Sequence, residues 1–153
     1  MTDSRDPFSD ATVLVVDNDP GVTIVLQHVL RLAGVGAVET APDGAAGLAR
    51  LAEGGVALVI CDLDMPGVSG EDLVAKLGEE LEPPPVVVVS AFLDQRIRDR
   101  LGESKAFAGS FSKPFDIAEF SEFVRDILRR GADDEREVNS DRDEVREMEG
   151  GWF

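Results

Sequence analysis

The sequence predicts an α/β domain in which a parallel sheet is covered by helices on both sides. Three observations point there. Short, strongly apolar runs such as Thr12–Val16, Val56–Cys61 and Val86–Val89 read as strands buried on both faces. Segments with helical apolar spacing separate them, so strand and helix alternate five times, the order that gives a parallel sheet. The chain has 153 residues, 43% of them hydrophobic, which suffices for one domain with a real core and hardly for two.

The elements follow in order. Thr12–Val16 is a β-branched strand that ends in Asp17-Asn18-Asp19-Pro20. Asp19 before Pro20 reads as an N-cap with proline in the first helical position. Val22, Val25, Leu26, Val29 and Leu30 then recur at helical spacing, and Gly34 closes the helix. A short strand falls at Ala37–Thr40. Asp43 caps a second helix carrying Leu48 and Leu51, which ends at Gly54-Gly55. Val56–Cys61 is a strand and Glu71–Leu81 a helix, stopped by Pro83-Pro84-Pro85. Val86–Val89 is a buried strand leading to Ser90-Ala91. A short helix over Asp94–Leu101 and a weaker strand over Ala106–Ser112 come next. Asp116 opens a last helix with Ile117, Phe120, Phe123, Val124, Ile127 and Leu128 on one face.

The domain is expected over 11–130, with a flexible leader over 1–10 and an acidic, polar tail over 131–153 that is too short and too charged to fold as an output domain. The leader lacks the basic start and apolar middle of a signal peptide, and no aliphatic run is long enough to span a bilayer, so a cytoplasmic protein is expected. Acids outnumber bases 31 to 15, for a formal charge of −16. That field repels nucleic acid phosphates and anionic membranes and favours cationic partners, metal ions included. The single cysteine, Cys61, excludes an intrachain disulfide and reads as a small core residue.

The polar residues fall at the carboxyl ends of the predicted strands, where open parallel sheets gather ligands. The first strand ends in Asp17 and Asn18, the third in Asp62, the fourth in Ser90, and the fifth runs into Lys113. Such a set suits phosphoryl transfer. A carboxylate can act as nucleophile and become an acyl phosphate. Two acids with an amide or carbonyl oxygen can hold Mg²⁺, which prefers oxygen ligands. A lysine and a hydroxyl can contact the remaining phosphoryl oxygens.

These stretches, "VLVVDND", "DLDMPGVSG", "VVVVSA" and "SKPF", resemble the four marks of the response-regulator receiver domain, in the right order and at fitting separations across roughly 10–130. The resemblance implies a flavodoxin-like three-layer sandwich, its five-stranded parallel sheet ordered 2-1-3-4-5 and carrying five helices. It implies Asp62 as phosphoacceptor, Ser90 and Lys113 as phosphoryl-binding residues, and a Mg²⁺ site of Asp17, Asn18, Asp62 and the main-chain carbonyl of Asp64. It also implies a cis Lys113-Pro114 bond. The implied partners are a sensor histidine kinase or histidine phosphotransfer protein and a downstream protein target, with homodimerisation as an open alternative. No direct nucleic acid or membrane contact is expected, and no enzymatic activity beyond Mg²⁺-dependent self-phosphorylation and self-dephosphorylation. The module is expected to stand alone or to be a piece of a longer chain.

Two positions depart from the family pattern. Asn18 stands where a second carboxylate is usual, which predicts weaker Mg²⁺ binding. Ser110 stands three residues before the lysine, where an aromatic switch residue is usual, and Phe111 points to the opposite face by strand alternation. Two other readings compete. The Asp-x-Asp pattern in "VVDNDPG" and "ICDLDMP" also fits a haloacid-dehalogenase-like aspartyl phosphatase, although Asp116 and Glu119 open a helix where that family has an acidic pair ending a strand. The departures also suit a degenerate receiver that serves only as a binding scaffold. His28 has no assigned role. Arg96, Arg98 and Arg100 read as a solvated helix, and Trp152-Phe153 as a free end.

Overall fold

The computed structural model describes residues 9–132. Five strands, β1 (Thr12–Val16), β2 (Ala37–Ala41), β3 (Leu58–Cys61), β4 (Val86–Ser90) and β5 (Phe107–Ser112), form one sheet of order β2-β1-β3-β4-β5, with every pairing parallel. Between them run α1 (Pro20–Leu32), α2 (Gly44–Ala52), α3 (Gly70–Gly78) and α4 (Gln95–Gly102). A fifth helix, α5, occupies 117–132, two residues past the expected domain boundary. The remaining positions of the expected leader and tail lie outside the described residues. Among the described residues no helix is long and apolar enough to cross a membrane.

Side-chain alternation along the central strands divides the core in two. Val13, Val15, Leu58, Ile60, Val87 and Val89 face one layer, where Leu26, Val29 and Leu30 of α1 meet Phe120, Val124 and Leu128 of α5. Leu14, Val16, Val59, Cys61, Val86 and Val88 face the other, packed by Leu73, Val74 and Leu77 of α3 and Leu101 of α4. Buried on both faces, these strands need unbroken apolar runs, which is why the sequence displays them.

Helix starts follow their caps. The Asp19 carboxylate accepts from the Gly21 and Val22 amides, Asp43 from Ala46 and Asp94 from Ile97. Asp116 accepts from the Glu119 amide at 3.0 Å. Each satisfies a donor that the first helical turn leaves free. The third helix starts a residue before Glu71 and ends at Gly78, short of Leu81. Its start is set by a capping box in which Ser69 accepts from the Asp72 amide and Asp72 from the Ser69 amide.

Two expectations are corrected. Strand β3 begins at Leu58, two residues after Val56. Val25 of α1 and Ile117 of α5 are 54% and 55% exposed, because each lies at the edge of an apolar stripe wider than the contact the sheet offers. In β5 a bulge shifts the register between Val86↔Phe107 and Val87↔Gly109. Phe107 therefore packs in the α3–α4 layer while Phe111, four residues on, packs in the α1–α5 layer.

Candidate functional site

The strand ladder itself carries the acids and the lysine to one rim. The Asp17 amide donates to Ala41 O at 3.1 Å, the Asp62 amide to Val16 O at 3.0 Å and the Lys113 amide to Ser90 O at 2.8 Å. Each polar residue is thus the next rung past its strand, held by the neighbouring strand's last carbonyl. Since all strands run parallel, all these rungs stand at the same end of the sheet.

At that end Lys113 bridges two carboxylates. Its Nζ lies 3.4 Å from Asp17 Oδ2 and 3.9 Å from Asp62 Oδ1. Asp17 Oδ1 accepts the Asp19 amide at 2.8 Å, which fixes its orientation. Asp17 and Asp62 are buried, and Ser90 is fully so. Ser90 Oγ accepts the Phe92 amide at 3.2 Å. Lys113-Pro114 is cis. Asn18 and Asp64 occupy exposed loop positions beside Asp17 and Asp62. The structure therefore joins Asp17, Asp62 and Lys113 side chain to side chain. It places Ser90 on the same rim through its backbone bond to Lys113, and leaves Asn18 and Asp64 flanking in solvent.

The electrostatics follow from two acids sharing one lysine. Burial raises the Asp62 carboxyl above its ordinary range. The Lys113 ammonium opposes this, the Asp17 charge adds to it, and the Asp64 amide and carboxylate pull in opposite directions. A site one positive charge short suits a cation. The oxygens of the two carboxylates are hard donors of the kind that Mg²⁺ takes. No third carboxylate, histidine or cysteine completes a metal cluster among the described residues, consistent with asparagine at position 18. Cys61, one residue before Asp62, has its thiol pushed well up by burial, then by Asp62 and Asp17, which disfavours the thiolate.

Some contributors were not apparent from sequence. Gly70 lies directly under the Asp62 loop: a Cβ there would stand 2.3 Å from Asp62 O and 2.8 Å from Leu63 Cα. Both are backbone atoms and cannot step aside. Gly70→Ala is expected to cost about 1–3 kcal/mol by overpacking and to slow any chemistry at Asp62. Urea denaturation and phosphoryl uptake measured on the same sample check both. The Ser69-x-x-Asp72 spacing could have revealed the cap above this glycine. Arg98 and Arg100 are not simply solvated, since Arg98 Nη2 donates to Ser112 Oγ at 3.4 Å and Arg100 pairs with Glu71 at 3.3 Å. Phe111 is locked among Phe115, Phe120 and Phe123, with ring centroids 5.3–6.0 Å away.

A cleft of about 630 Å³ lies at the opposite end of the sheet. It is lined by Asp10, Glu80, Glu82 and the prolines 83–85 among others, and its described lining holds no lysine, arginine, histidine or cysteine. Among the described residues, the rim around Asp62 is where buried acids meet a cation.

Comparison with known proteins agrees with this geometry. Residues 13–125 match the family model described as the response regulator receiver domain. The transcriptional regulatory protein PrrA of Mycobacterium leprae is 37% identical over 123 residues, covering 80% of this chain and 52% of PrrA. The sensory transduction protein RegX3 of Mycobacterium tuberculosis is 30% identical over 128 residues, covering 84% of this chain and 55% of RegX3. The chain thus spans about half the length of these curated relatives. Among solved structures, a putative response regulator from Chloroflexus aurantiacus superposes with a TM-score of 0.71 at 29% identity, covering 78% of this chain and 98% of that one. The response regulator TrrA of Thermotoga maritima, solved in complex with Mg²⁺-BeF, gives 0.68 at 27% identity, covering 76% and 98%. With its 2-1-3-4-5 parallel sheet and its acids and lysine on one rim, the chain belongs to the response regulator receiver domain family.

Proposed function

We propose that the chain is a phosphorylation-activated signalling module that accepts a phosphoryl group on Asp62 in a Mg²⁺-dependent reaction. The observation that carries this reading is the buried Asp62 carboxylate at the end of β3, 3.9 Å from Lys113 Nζ and sharing that lysine with Asp17. An Asp62 carboxylate oxygen bonds to phosphorus while the bond from phosphorus to the donor's imidazole nitrogen breaks. The electron pair leaves with that nitrogen, and an acyl phosphate results. Lys113 follows the new negative charge from carboxylate to phosphoryl oxygen, and the Ser90 hydroxyl donates to a second oxygen. Asp17, Asp62, the Asn18 amide oxygen and the Asp64 carbonyl would hold Mg²⁺, which supplies positive charge against the repulsion between nucleophile and donor.

The donor in this reading is a histidine kinase or histidine phosphotransfer protein, the output runs through protein–protein contacts, and the module works in the cytoplasm without touching DNA or membrane. The Mg²⁺-BeF complex of the similar TrrA supports the metal assignment. The phosphatase reading loses its footing with the family match, and Asp116 serves as the cap of α5. Intact mass spectrometry after incubation with Mg²⁺ and acetyl phosphate tests the proposal: one added phosphoryl group is expected, and an unchanged mass would overturn it.

Asn18 gives a quantitative check. Asn18→Asp adds a carboxylate beside Asp17 and is expected to tighten Mg²⁺ by on the order of tenfold at an exposed site. Calorimetric titration of both proteins measures it, and equal affinities would remove Asn18 from the ligand set.

A further inference from the structure

Resting on Mg²⁺-dependent phosphoryl acceptance at Asp62, we infer that Gly44 is a positioning residue of this site: through Val68, the first turn of α2 sets where the loop after Asp62 stands relative to Asp17, and so sets the gap that Mg²⁺ fills.

That gap lies between two segments of chain, the end of β1 at Asp17 and the loop over 62–69 that follows β3. Mg²⁺ tolerates little error there, because it takes its oxygens at about 2.0–2.1 Å in near-octahedral order. The strand ladder fixes Asp17 and Asp62 themselves, each bonded to the last carbonyl of a neighbouring strand. It does not reach the rest of the loop. Asp64, Pro66 and Gly67 are exposed, and the chain turns back at Gly67, whose φ of 79° suits glycine. What holds the loop is the element it returns to at half-buried Val68.

That element is α2. The Asp43 carboxylate accepts the Ala46 amide at 2.8 Å and anchors the first turn. Gly44, the first residue of the helix, is buried. A Cβ there would stand 2.4 Å from Val68 O, 2.7 Å from Val68 Cβ and 2.9 Å from Val68 Cγ1. The loop therefore lies against the helix backbone with no room for a methyl group. One turn on, Gly47 meets the other segment: its Cβ would stand 3.0 and 3.2 Å from the two methyls of Val16, the residue before Asp17. The Asp17 amide in turn donates to Ala41 O, two residues before the Asp43 cap. One short helix thus spaces both acid-bearing segments. The methyls of Val16 can turn aside, whereas the Val68 carbonyl belongs to the loop itself. Gly44, more than Gly47, decides where that loop stands, and an added methyl displaces it.

The test compares the Mg²⁺ concentration at half-maximal phosphoryl uptake from acetyl phosphate, read by intact mass, in the full chain and its variants. Gly44→Ala is expected to raise that midpoint roughly tenfold or more, the usual consequence of disturbing what orients a metal's ligands. Val68→Ala trims the same contact from the other side and should move the midpoint in the same direction. Gly102→Ala makes the same exchange where nothing lies within 4 Å of the new Cβ, and should leave it unchanged. A merely structural role would lower the folded fraction, and with it the extent of uptake, without moving the midpoint of the molecules that remain folded. Circular dichroism on the same samples gives that fraction. If Gly44→Ala does not fold, Val68→Ala decides. A wild-type midpoint in folded Gly44→Ala, or in Val68→Ala, overturns the inference and leaves the proposed function standing. An equal rise in Gly102→Ala overturns it too. No uptake by the unsubstituted protein overturns both.

Discussion

Asp62→Asn is expected to abolish phosphoryl uptake and, at neutral pH, to make the protein more stable. The first effect follows from removing the nucleophilic oxygen; the amide keeps the shape and loses the charge. The second follows from the environment of the carboxylate. Burial raises its folded-state pKa, with Asp17 adding to the effect and Lys113 only partly opposing it. The sign is then determined. Below the ordinary carboxylate range, about 3.9 for Asp, the group is protonated in folded and unfolded chains alike and costs nothing. As pH rises through the elevated folded value, the unfolded chain ionises more readily, and stability is lost. At pH 7 wild type therefore carries a penalty that the amide lacks. Asp62→Asn should melt higher than wild type at pH 7, with the gap closing as pH falls toward 4. Thermal melts of the two proteins at several pH values, without Mg²⁺, decide it. A variant less stable at pH 7 would mean that Lys113 outweighs burial.

Phe120→Ala is expected to produce the largest loss of stability, about 3–5 kcal/mol for a buried phenylalanine. Phe120 is fully buried at the centre of the α1–α5 layer, with ring centroids of Phe111 and Phe115 at 5.5 and 4.9 Å. Domains of this size hold only about 5–15 kcal/mol in total, so Tm should fall by roughly 10 °C or more. The functional consequence is local. Phe111 and Phe115 flank the Ser112-Lys113-Pro114 turn, so the cavity loosens the segment that holds Lys113 against Asp17 and Asp62. Phosphoryl uptake should slow even below the melting range. Denaturation midpoints and uptake rates at a temperature where the variant is folded separate the two effects. Uptake at the wild-type rate would show that the turn is held by its backbone bond to Ser90 alone.

Much of the architecture was legible because its causes are local. Thr12–Val16 is a strand in its β-branched residues alone, and Asp19, Asp43, Asp94 and Asp116 announce helix starts that the structure confirms as caps. The third helix was misread at both ends. Glu71–Leu81 has helix-forming composition, whereas the actual limits come from the Ser69–Asp72 capping box and from the turn after Gly78. The exposed Val25 and Ile117 were misread for another reason: periodicity shows which residues share a face, not how far a neighbouring layer covers it.

The site divides along the same line. That Asp17, Asp62, Ser90 and Lys113 each follow an apolar run could be read directly, because chain order and strand length are properties of short segments. That Lys113 touches both Asp17 and Asp62, that Gly70 lies beneath the Asp62 carbonyl, that Phe111 is locked away and that Phe92 is tethered to Ser90 could not. Those contacts depend on strand order, on one bulge in β5 and on the rotation of each helix against the sheet. They emerge only when every buried surface is satisfied at once, a condition no short stretch of chain can express.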